Sequence, residues 1–203
     1  MFFERRTLFR PEDEHVNAYR LLTAVVVPRP IAWVTSLSAE GVVNLAPHSF
    51  YTVACARPPI VQFTSVGSKD TLRNVLDTGE FVVNLAHGPL IRAVNNSSAA
   101  FASDESEPAQ LDITMEPSEA VRPPRVKDSP VSIECVLHST NELGDSTVVL
   151  GTVVLITVAD DVLVDGHPDY HRLDPLARLG KDEWGMHAEV VSLERPRKPE
   201  DVR

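Results

Sequence analysis

The segment GSKDTLRNVLDTGEFVVNL, residues 67–85, carries the signals of a short helix followed directly by a strand. Leu72, Val75 and Leu76 recur at the spacing of one helical face. Gly79 then supplies a residue that tolerates the left-handed backbone with which helices commonly end. The closing run FVVNL is rich in β-branched residues and is typical of a buried strand. The segment therefore predicts a helix that leads into a sheet.

The start of this helix places Lys69 among the hydroxyl side chains of Ser68 and Thr71. A helix N-terminus presents unpaired backbone N–H groups and a partial positive charge, so it suits an anion such as a phosphate. The alternative is that Ser68 or Asp70 caps the helix and that Lys69 is solvated. Caps of this kind are common, so the segment by itself favours the plain cap.

The rest of the chain is dominated by strand patterns. Gly41 is predicted to turn a hairpin within SLSAEGVVNL, Asp160-Asp161 to turn a second one, and Asp165-Gly166 to form a further turn. The segments predicted as strands are AVVV (24–27), IAWVTSL (31–37), VVNL (42–45), IVQFTS (60–65), FVVNL (81–85), VSIECVLHS (131–139) and STVVLGTVVLITV (146–158).

Helical patterns are few. Besides the helix after Lys69, helices are predicted within HVNAYRLL (15–22) and within PLIRAVNNSSAAF (89–101). Residues 103–130 are rich in acids and prolines and are predicted to form a surface excursion. Many strands with few helices favour an antiparallel barrel over a doubly wound sheet, and the chain suits one domain spanning residues 1–203.

The composition of the chain argues against some classes of partner and indicates a cellular compartment. The net charge of −10 and the pI of about 5.1 argue against nucleic acid or an anionic membrane as the main partner. The N-terminal sequence MFFERRTLFRPEDEH has no apolar signal-peptide core, and the longest apolar run, LLTAVVV, is too short to span a bilayer. Cys55 and Cys135 stand alone in apolar runs, which indicates buried, reduced thiols. We expect a cytoplasmic protein with no membrane segment.

The common nucleotide and hydrolase motifs are missing from the sequence. Its nine glycines include no G-x-G pair, no G-K-[ST] phosphate loop and no G-x-S-x-G elbow. If a phosphate binds near Lys69, a different fold must hold it.

A second polar segment lies within residues 28–63. Asn44, Ala46, Pro47 and Ser49 stand where a strand pattern becomes polar and then returns to apolar residues. Pro47 lacks a ladder donor, so an interrupted strand is predicted, with backbone amides free to meet a flat polar ligand. A simple bulge with no ligand is the alternative.

These segments together resemble the flavin reductase-like, FMN-binding split-barrel family, of the flavoredoxin and nitrilotriacetate monooxygenase reductase type. The resemblance runs from about residue 15 to residue 196. It is carried by RPIAWVTS, NLAPHSF, Pro58-Pro59, SKDTLRNVLDTGEFVVNL, SPVSIEC (129–135), VVLGTVV (148–154) and PLARLGKDEWG (175–185), in that order.

The resemblance implies a mainly β, six-stranded antiparallel split barrel that forms a homodimer and binds FMN near the dimer interface. Carried over by position, four groups of residues are predicted to bind the cofactor. They are Ser68, Lys69, Asp70 and Thr71 at the phosphate and ribityl end, Thr35 and Ser36 beside them, Asn44, Ala46, Ser49 and Phe50 at the isoalloxazine ring, and Thr64 and Ser65 before the phosphate loop.

The activity that the resemblance implies is that of an oxidoreductase that takes electrons from NADH or NADPH. It would pass them to free flavin, to oxygen or to a partner monooxygenase. The alternatives are an FMN-binding electron carrier without turnover and a barrel that binds another planar or phosphorylated ligand. No catalytic side chain is assigned, because the cofactor carries the hydride chemistry.

Several residues remain open at this stage. His48 stands where relatives often carry tyrosine, and Trp184 stands near another such position. His48 is a candidate contact for the substrate or the nicotinamide. Arg178 is either a surface cation or a contact at the flavin mouth. The pair of histidines in HPDYH (167–171) is four residues apart, which suits either a metal ligand pair or a surface loop, and no third ligand is evident. Trp33 and Phe63 lie within predicted strands and are expected in the core.

Overall fold

A seven-stranded antiparallel sheet organises the computed structural model, which describes residues 5–202. The first four residues of MFFERRTLFRPEDEH, and Arg203, lie outside the described range. The strand order of the seven-stranded sheet is β3–β2–β6–β9–β10–β5–β4, and β1–β13–β14, β7–β8 and β11–β12 form three smaller sheets. The strands are β1 (Arg29–Pro30), β2 (Ala32–Leu37), β3 (Val43–His48), β4 (Tyr51–Cys55), β5 (Ile60–Val66), β6 (Glu80–Leu85), β7 (Met115–Glu116), β8 (Arg125–Val126), β9 (Val131–Leu143), β10 (Ser146–Val158), β11 (Leu163–Val164), β12 (His167–Pro168), β13 (Ala177–Arg178) and β14 (Trp184–Gly185).

Helices are short and lie around the sheet. They are α1 (Ala18–Val25), α2 (Asp70–Thr78), α3 (Ile91–Asn96), α4 (Glu107–Gln110) and α5 (Tyr170–Leu173), with 3₁₀ turns at Gly88–Leu90, Asp160–Val162 and Pro199–Asp201. Within residues 5–202, none of the helices has the length and apolar character needed to cross a bilayer.

The large sheet curls because its two edge strands are consecutive in the chain. Only Ser49 and Phe50 separate β3 from β4, so the two edges of the sheet meet. The Thr64 N–H donates to the Phe50 carbonyl at 2.9 Å, and the rings of His48 and Phe63 lie 4.7 Å apart across the junction. The predicted antiparallel barrel is therefore confirmed.

The 67–85 segment forms the predicted helix and strand, although Leu76, expected on the apolar face of the helix, is 52% exposed. Leu72 and Val75 of α2 are buried in the barrel core, and Gly79 ends the helix with a φ of 73°. The chain continues directly into β6, which pairs with β2 and β9. Gly41 likewise turns the predicted β2–β3 hairpin with a φ of 86°.

Two apolar clusters flank the wall formed by β2. Ala32 and Val34 face the barrel interior, where they pack with Phe63 and Phe81. The alternate residue Trp33 faces outward into a second cluster. Trp33 and Phe63 are both fully buried, which confirms their expected place in the core.

The two cysteines are free, but only one is buried. Cys135 lies in the barrel core, where burial raises the pKa of its thiol to about 12. Cys55, at the end of β4, is only half-buried, because that strand lies at the edge of the sheet. The prediction of two buried thiols is therefore correct for Cys135 alone.

The predicted strand at 24–27 is wrong. Asn17 caps α1 by accepting from the Arg20 N–H at 2.9 Å, and the helix continues through Val25. The apolar run has no strand partner, so the capped helix prevails over the local β propensity. Residues 26 and 27 then lead to β1 without joining the sheet.

The predicted hairpin at Asp160-Asp161 is also wrong. These residues form a 3₁₀ turn, and β11 pairs with β12 instead of β10. The cause is the predicted turn at Asp165-Gly166, whose two positive φ angles close a tighter hairpin between Val164 and His167.

The expected interruption of β3 at Pro47 is not found. Pro47 pairs with Trp33 inside a continuous strand, because β3 is an edge strand and needs no outward ladder donor there. The break comes after His48, at Ser49 and Phe50. This break makes β4 a separate strand, which is not among the predicted strands. The sheet therefore has seven strands, whereas the resemblance implied six.

The acid- and proline-rich segment at 103–130 contributes buried residues as well as surface. Val126 packs in the outer cluster, and its N–H donates to Asn84 Oδ1 at 2.9 Å. Glu134 of β9 is fully buried and accepts N–H groups from three consecutive residues, 119–121, at 2.6–3.2 Å. Glu107 of α4 is buried against β3. Buried carboxylates therefore fix this segment to the barrel.

Candidate functional site

A cavity of about 270 Å³ lies where α2 begins beside β3, and we call it the anion cavity. It brings together residues that are distant in sequence, because the edge strand and the helix N-terminus meet at one end of the barrel. Its lining consists of Asn44, Ala46, Pro47, His48, Ser68, Lys69, Asp70, Thr71, Ser97, Ser98, Ala99, Ala100, Phe101 and Glu107.

The helix side of the anion cavity has no conventional cap. The N-cap residue of α2 is Lys69, and no side-chain capping hydrogen bond is made there. Asp70 is engaged elsewhere, in an ion pair with Arg73. The first N–H groups of this nine-residue helix therefore remain available, next to the ammonium group of Lys69 and the hydroxyl of Ser68. This arrangement contradicts the predicted side-chain cap, whereas Lys69 is exposed, as that alternative expected.

The strand side presents alternate residues of β3. Asn44, Ala46 and His48 share one face because side chains alternate along a strand, and all three line the anion cavity. Asn44 Oδ1 accepts from the Thr71 hydroxyl at 2.9 Å and from the Ser36 hydroxyl at 3.3 Å. These bonds tie the strand to the helix.

His48 is a buried, neutral imidazole. Burial, together with the positive charge of Lys69, lowers its pKa to about 4, and a hydrogen bond with the Thr64 backbone opposes the shift. Its Nε2 atom is buried and has no hydrogen-bond partner among the described residues. A buried polar atom without a partner at a cavity wall is suited to bind a ligand.

Glu107 closes the cavity from the 103–130 segment. Its Oε1 accepts from Asn44 Nδ2 at 2.6 Å, and its Oε2 accepts from the Leu45 N–H at 2.9 Å. Burial raises the pKa of this carboxyl, and these hydrogen bonds oppose the shift. No sequence pattern singles out Glu107, since it lies among exposed acids in a segment with no strand or long helix pattern.

A second cavity of about 550 Å³ adjoins the first at Pro47 and Ser98, and we call it the arginine cavity. Arg178 lies over the ring of Trp184, with its guanidinium carbon 4.7 Å from the ring centroid. The Arg178 guanidinium also donates to the Lys181 carbonyl at 2.8 Å. The complete lining is Tyr19, Ile31, Pro47, Ser49, Val94, Asn95, Ser98, Arg178, Asp182 and Trp184.

Arg29 connects α1 to the residue after β13, next to the arginine cavity. Its guanidinium donates to the carbonyls of Thr23, in α1, and Leu179, which follows β13. Burial lowers the pKa of Arg29, and the nearby charge of Arg178 lowers it further. Arg29, which is buried, therefore lies close to Arg178, which is half-buried.

Of the other predicted site residues, some line a cavity and the rest are buried away from all three cavities. Ser49, Phe50 and Thr64 line a third cavity of about 390 Å³ between α1 and β4, and Ser49 also lines the arginine cavity. Thr35, Ser36 and Ser65 are fully buried and line none of these three cavities. The Thr35 hydroxyl instead accepts from Asn84 at 2.8 Å, and the Ser65 hydroxyl donates to the Gly67 carbonyl at 3.0 Å.

The two histidines of the HPDYH segment lie outside these cavities. His167 belongs to β12 and His171 to α5, so the pair does not share one helix. Among residues 5–202, no group of three or more His, Cys, Asp or Glu side chains is placed to hold a metal ion.

Comparison with known proteins shows the family. The sequence model of the flavin reductase like domain matches residues 24–174, which is most of the chain. This protein belongs to the flavin reductase-like family. The match includes the uncapped start of α2 and the face of β3 that line the anion cavity. It supports a flavin-related oxidoreductase.

Relatives and solved structures align with this chain over nearly their whole length. An uncharacterized protein of Halalkalibacterium halodurans is 41% identical over 190 residues, covering 88% of this chain and 90% of that protein. The structure of nitrilotriacetate monooxygenase component B from Bacillus cereus has a TM-score of 0.87 at 31% identity, covering 95% of this chain and 100% of that chain. The 2-nitrobenzoate 2-nitroreductase of Pseudomonas fluorescens has a TM-score of 0.85 at 27% identity, covering 95% and 97%. The predicted family and split-barrel fold are therefore confirmed.

Proposed function

We propose that this flavin reductase-like protein binds FMN and oxidises NADH or NADPH, passing the electrons to free flavin, oxygen or a partner monooxygenase. The observation that carries the proposal is the uncapped N-terminus of α2, with Lys69 beside it, opening into a polar cavity. A helix N-terminus with an adjacent lysine suits a phosphate group, and the family supplies the flavin context.

The residues of the anion cavity fit the phosphate and ribityl end of FMN. Lys69 and Ser68 offer a charge and a hydroxyl, and the first N–H groups of α2 have no side-chain cap. His48 Nε2 offers a buried polar atom that lacks a partner among residues 5–202. We propose Asp70 and Thr71 as contacts through their backbone, since Asp70 pairs with Arg73 and the Thr71 hydroxyl donates to Asn44.

The ring would extend past Ala46 and Ser49 toward the arginine cavity. The two cavities adjoin at Pro47 and Ser98, and their volumes of about 270 and 550 Å³ suit a ligand of this size. We further propose that Phe50 and Thr64 border the ring from the third cavity. Thr35, Ser36 and Ser65 would support the site from beneath it.

When bound, FMN supplies the hydride and electron chemistry, and the protein binds and orients it. At neutral pH the imidazole of His48 is uncharged, because its pKa is about 4. His48 therefore acts as a neutral hydrogen-bonding group. Arg178, stacked on Trp184, offers a cation for the anionic pyridine nucleotide.

Part of the surface supports the proposed homodimer. Leu22, Val25 and Val26 on or next to α1 are 58–64% exposed, and Val53 of β4 is 70% exposed. Leu22 and Val26 also line the third cavity, so a second copy would cover a face next to the site. Sedimentation equilibrium measures this assembly directly, and a monomer at all concentrations would contradict it. The cytoplasmic location remains a prediction.

The visible spectrum of the purified protein under anaerobic conditions tests the proposed activity. Flavin absorption that bleaches on addition of NADPH or NADH is the expected result and identifies the donor. A yellow protein that neither nucleotide bleaches would favour the electron-carrier alternative and contradict the reductase. A colourless protein that fails to take up added FMN would overturn the cofactor itself.

A further inference from the structure

Glu107 is the group in the anion cavity that the proposed FMN site does not explain. It places a buried carboxylate, 5% exposed, beside a cavity suited to a phosphate. The charged side chains that line this cavity are one cation, Lys69, and two anions, Asp70 and Glu107. A second negative charge opposes anion binding, so its presence needs another reason.

The hydrogen bonds of Glu107 have a fixed direction. The Leu45 backbone N–H can only donate, so Glu107 Oε2 accepts there at 2.9 Å. The N–H donors that face both oxygens favour the ionised carboxylate, which can only accept. Oε1 therefore accepts from the NH₂ group of Asn44 at 2.6 Å. The carboxylate therefore sets the orientation of the Asn44 amide.

The orientation of Asn44 then decides what Thr71 presents to the cavity. With its NH₂ group on Glu107, Asn44 directs Oδ1 toward Thr71, whose hydroxyl donates its only proton at 2.9 Å. The Ser36 hydroxyl donates to the same oxygen and accepts from Asn74 Nδ2 at 3.2 Å. Thr71 lines the cavity, but its proton is already used.

We propose that Glu107 is a positioning residue that withholds the Thr71 hydroxyl proton from a phosphate monoester in the anion cavity. The inference rests on the proposed function, since it deepens the assignment of the same site. Lys69 and the open helix N-terminus attract the phosphate, while Glu107 limits how firmly it is held. Glu107 thereby lowers the affinity of the site for the phosphate.

The substitution Glu107→Gln tests this role by reversing the hydrogen bonds. The new amide oxygen still accepts from the Leu45 N–H, and its NH₂ group now donates to Asn44. Asn44 turns its oxygen to that group and its NH₂ to Thr71, which frees the Thr71 proton for the phosphate. FMN affinity, measured by fluorescence titration of the apoprotein, is expected to rise roughly five- to tenfold, as one added hydrogen bond allows. Riboflavin, which lacks the phosphate, is expected to show no such gain.

A double variant separates hydrogen-bond direction from simple loss of charge. Glu107→Gln combined with Thr71→Val is expected to bind FMN no more tightly than Thr71→Val alone. If the gain persists without the Thr71 hydroxyl, removal of the Glu107 charge explains it, and the positioning role is overturned. A loss of FMN affinity in Glu107→Gln with an unchanged melting temperature also overturns it.

Glu134→Gln is the matched control. Glu134 is likewise a buried carboxylate that accepts backbone N–H groups and fixes the 103–130 segment, but it does not line the anion cavity. A merely structural role predicts the same effect for both variants. The proposal predicts tighter FMN binding for Glu107→Gln alone, and equal effects would contradict it.

If Glu107→Gln does not fold, neutron diffraction of the wild-type protein locates the same protons directly. Deuterium on the Asn44 nitrogen facing Glu107, and on the Thr71 oxygen facing Asn44, is the expected result; the reverse arrangement overturns the proposal. Failure of the wild type to bind FMN would sink the proposed function, whereas these maps decide the role of Glu107 separately.

Discussion

The anion cavity and the arginine cavity adjoin at Pro47 and Ser98 but are built in different ways. The anion cavity is formed by the backbone of a helix start and one face of β3, joined by buried hydrogen bonds. The arginine cavity is lined by residues of α1, β3, α3, β13 and β14 and the loops beside them, with Arg178 half-buried over Trp184. The hydrogen-bonded groups of the anion cavity, Asn44, Thr71 and Glu107, are buried, whereas the polar groups of the arginine cavity are exposed or half-exposed.

This difference in burial sets the expected effects of mutation. Charges and polar groups out of contact with water interact strongly, and unmade bonds there are costly. A half-exposed cation is screened by solvent and contributes less. Lys69 is itself exposed, so its expected effect rests on the free N–H groups of α2 beside it, which can bind the same phosphate. We therefore expect changes in the anion cavity to exceed those in the arginine cavity, and three predictions test that order.

The largest expected effect is a loss of folding stability at acid pH, caused by the lowered pKa of His48. Its pKa is about 4 in the folded protein against an ordinary value of 6.5, so between those values the unfolded chain binds a proton that the folded protein does not. Stability should therefore fall as pH drops from 6.5 to 4, by about 3 kcal/mol in total. Urea unfolding at several pH values should show a flatter dependence for His48→Gln than for the wild type.

His167→Gln is the control for this measurement, because His167 is exposed on the β11–β12 hairpin. It should keep the wild-type dependence on pH. An identical acid loss in His48→Gln and the wild type would show that another group controls stability in this range.

The next effect is expected in cofactor binding, through Lys69. Lys69→Ala removes the cation at the start of α2 and should weaken FMN binding by about 1.5–3 kcal/mol, the value of one charged hydrogen bond. Riboflavin affinity should change much less, since that ligand has no phosphate. Calorimetric titration measures both, with Lys127→Ala, an exposed lysine outside the anion cavity, as the control. Equal losses for the two ligands would contradict the phosphate assignment.

The smallest effect is expected in the arginine cavity. Arg178→Ala should raise the KM for the pyridine nucleotide by roughly three- to tenfold, because it removes a solvent-screened cation stacked on an aromatic ring. Its FMN affinity should fall less than that of Lys69→Ala. Steady-state kinetics measure the first quantity, and Arg92→Ala, an exposed arginine of α3, is the matched control. A loss of FMN affinity as large as that of Lys69→Ala would remove the distinction between the cavities.

Sequence patterns predicted the anion cavity better than the arginine cavity for a physical reason. Lys69, Ser68 and Thr71 lie within one short segment whose helix start is a local feature. Asn44, Ala46 and His48 follow the alternation of a single strand. Tyr19, Asn95 and Arg178 belong to α1, α3 and β13, which are far apart in the chain, so their neighbourhood depends on long-range contacts.

The wrong strand assignments have the same origin. The run at 24–27 has strong β propensity, but a side-chain cap and the lack of a partner strand make it the end of a helix. Pro47 was expected to interrupt its strand, and its place at a sheet edge removes that conflict. Propensity is local, whereas pairing and edge position belong to the whole sheet.

By itself, the sequence determined the strand-rich class, the 67–85 helix-to-strand unit and the family resemblance, because these follow from periodicity, turn residues and motif order. Only the tertiary structure decided that Glu107 enters the cavity. Its carboxylate makes its hydrogen bonds to residues 44 and 45, more than sixty positions away. The direction in which the site offers its protons follows from those contacts, and no local pattern in the chain encodes it.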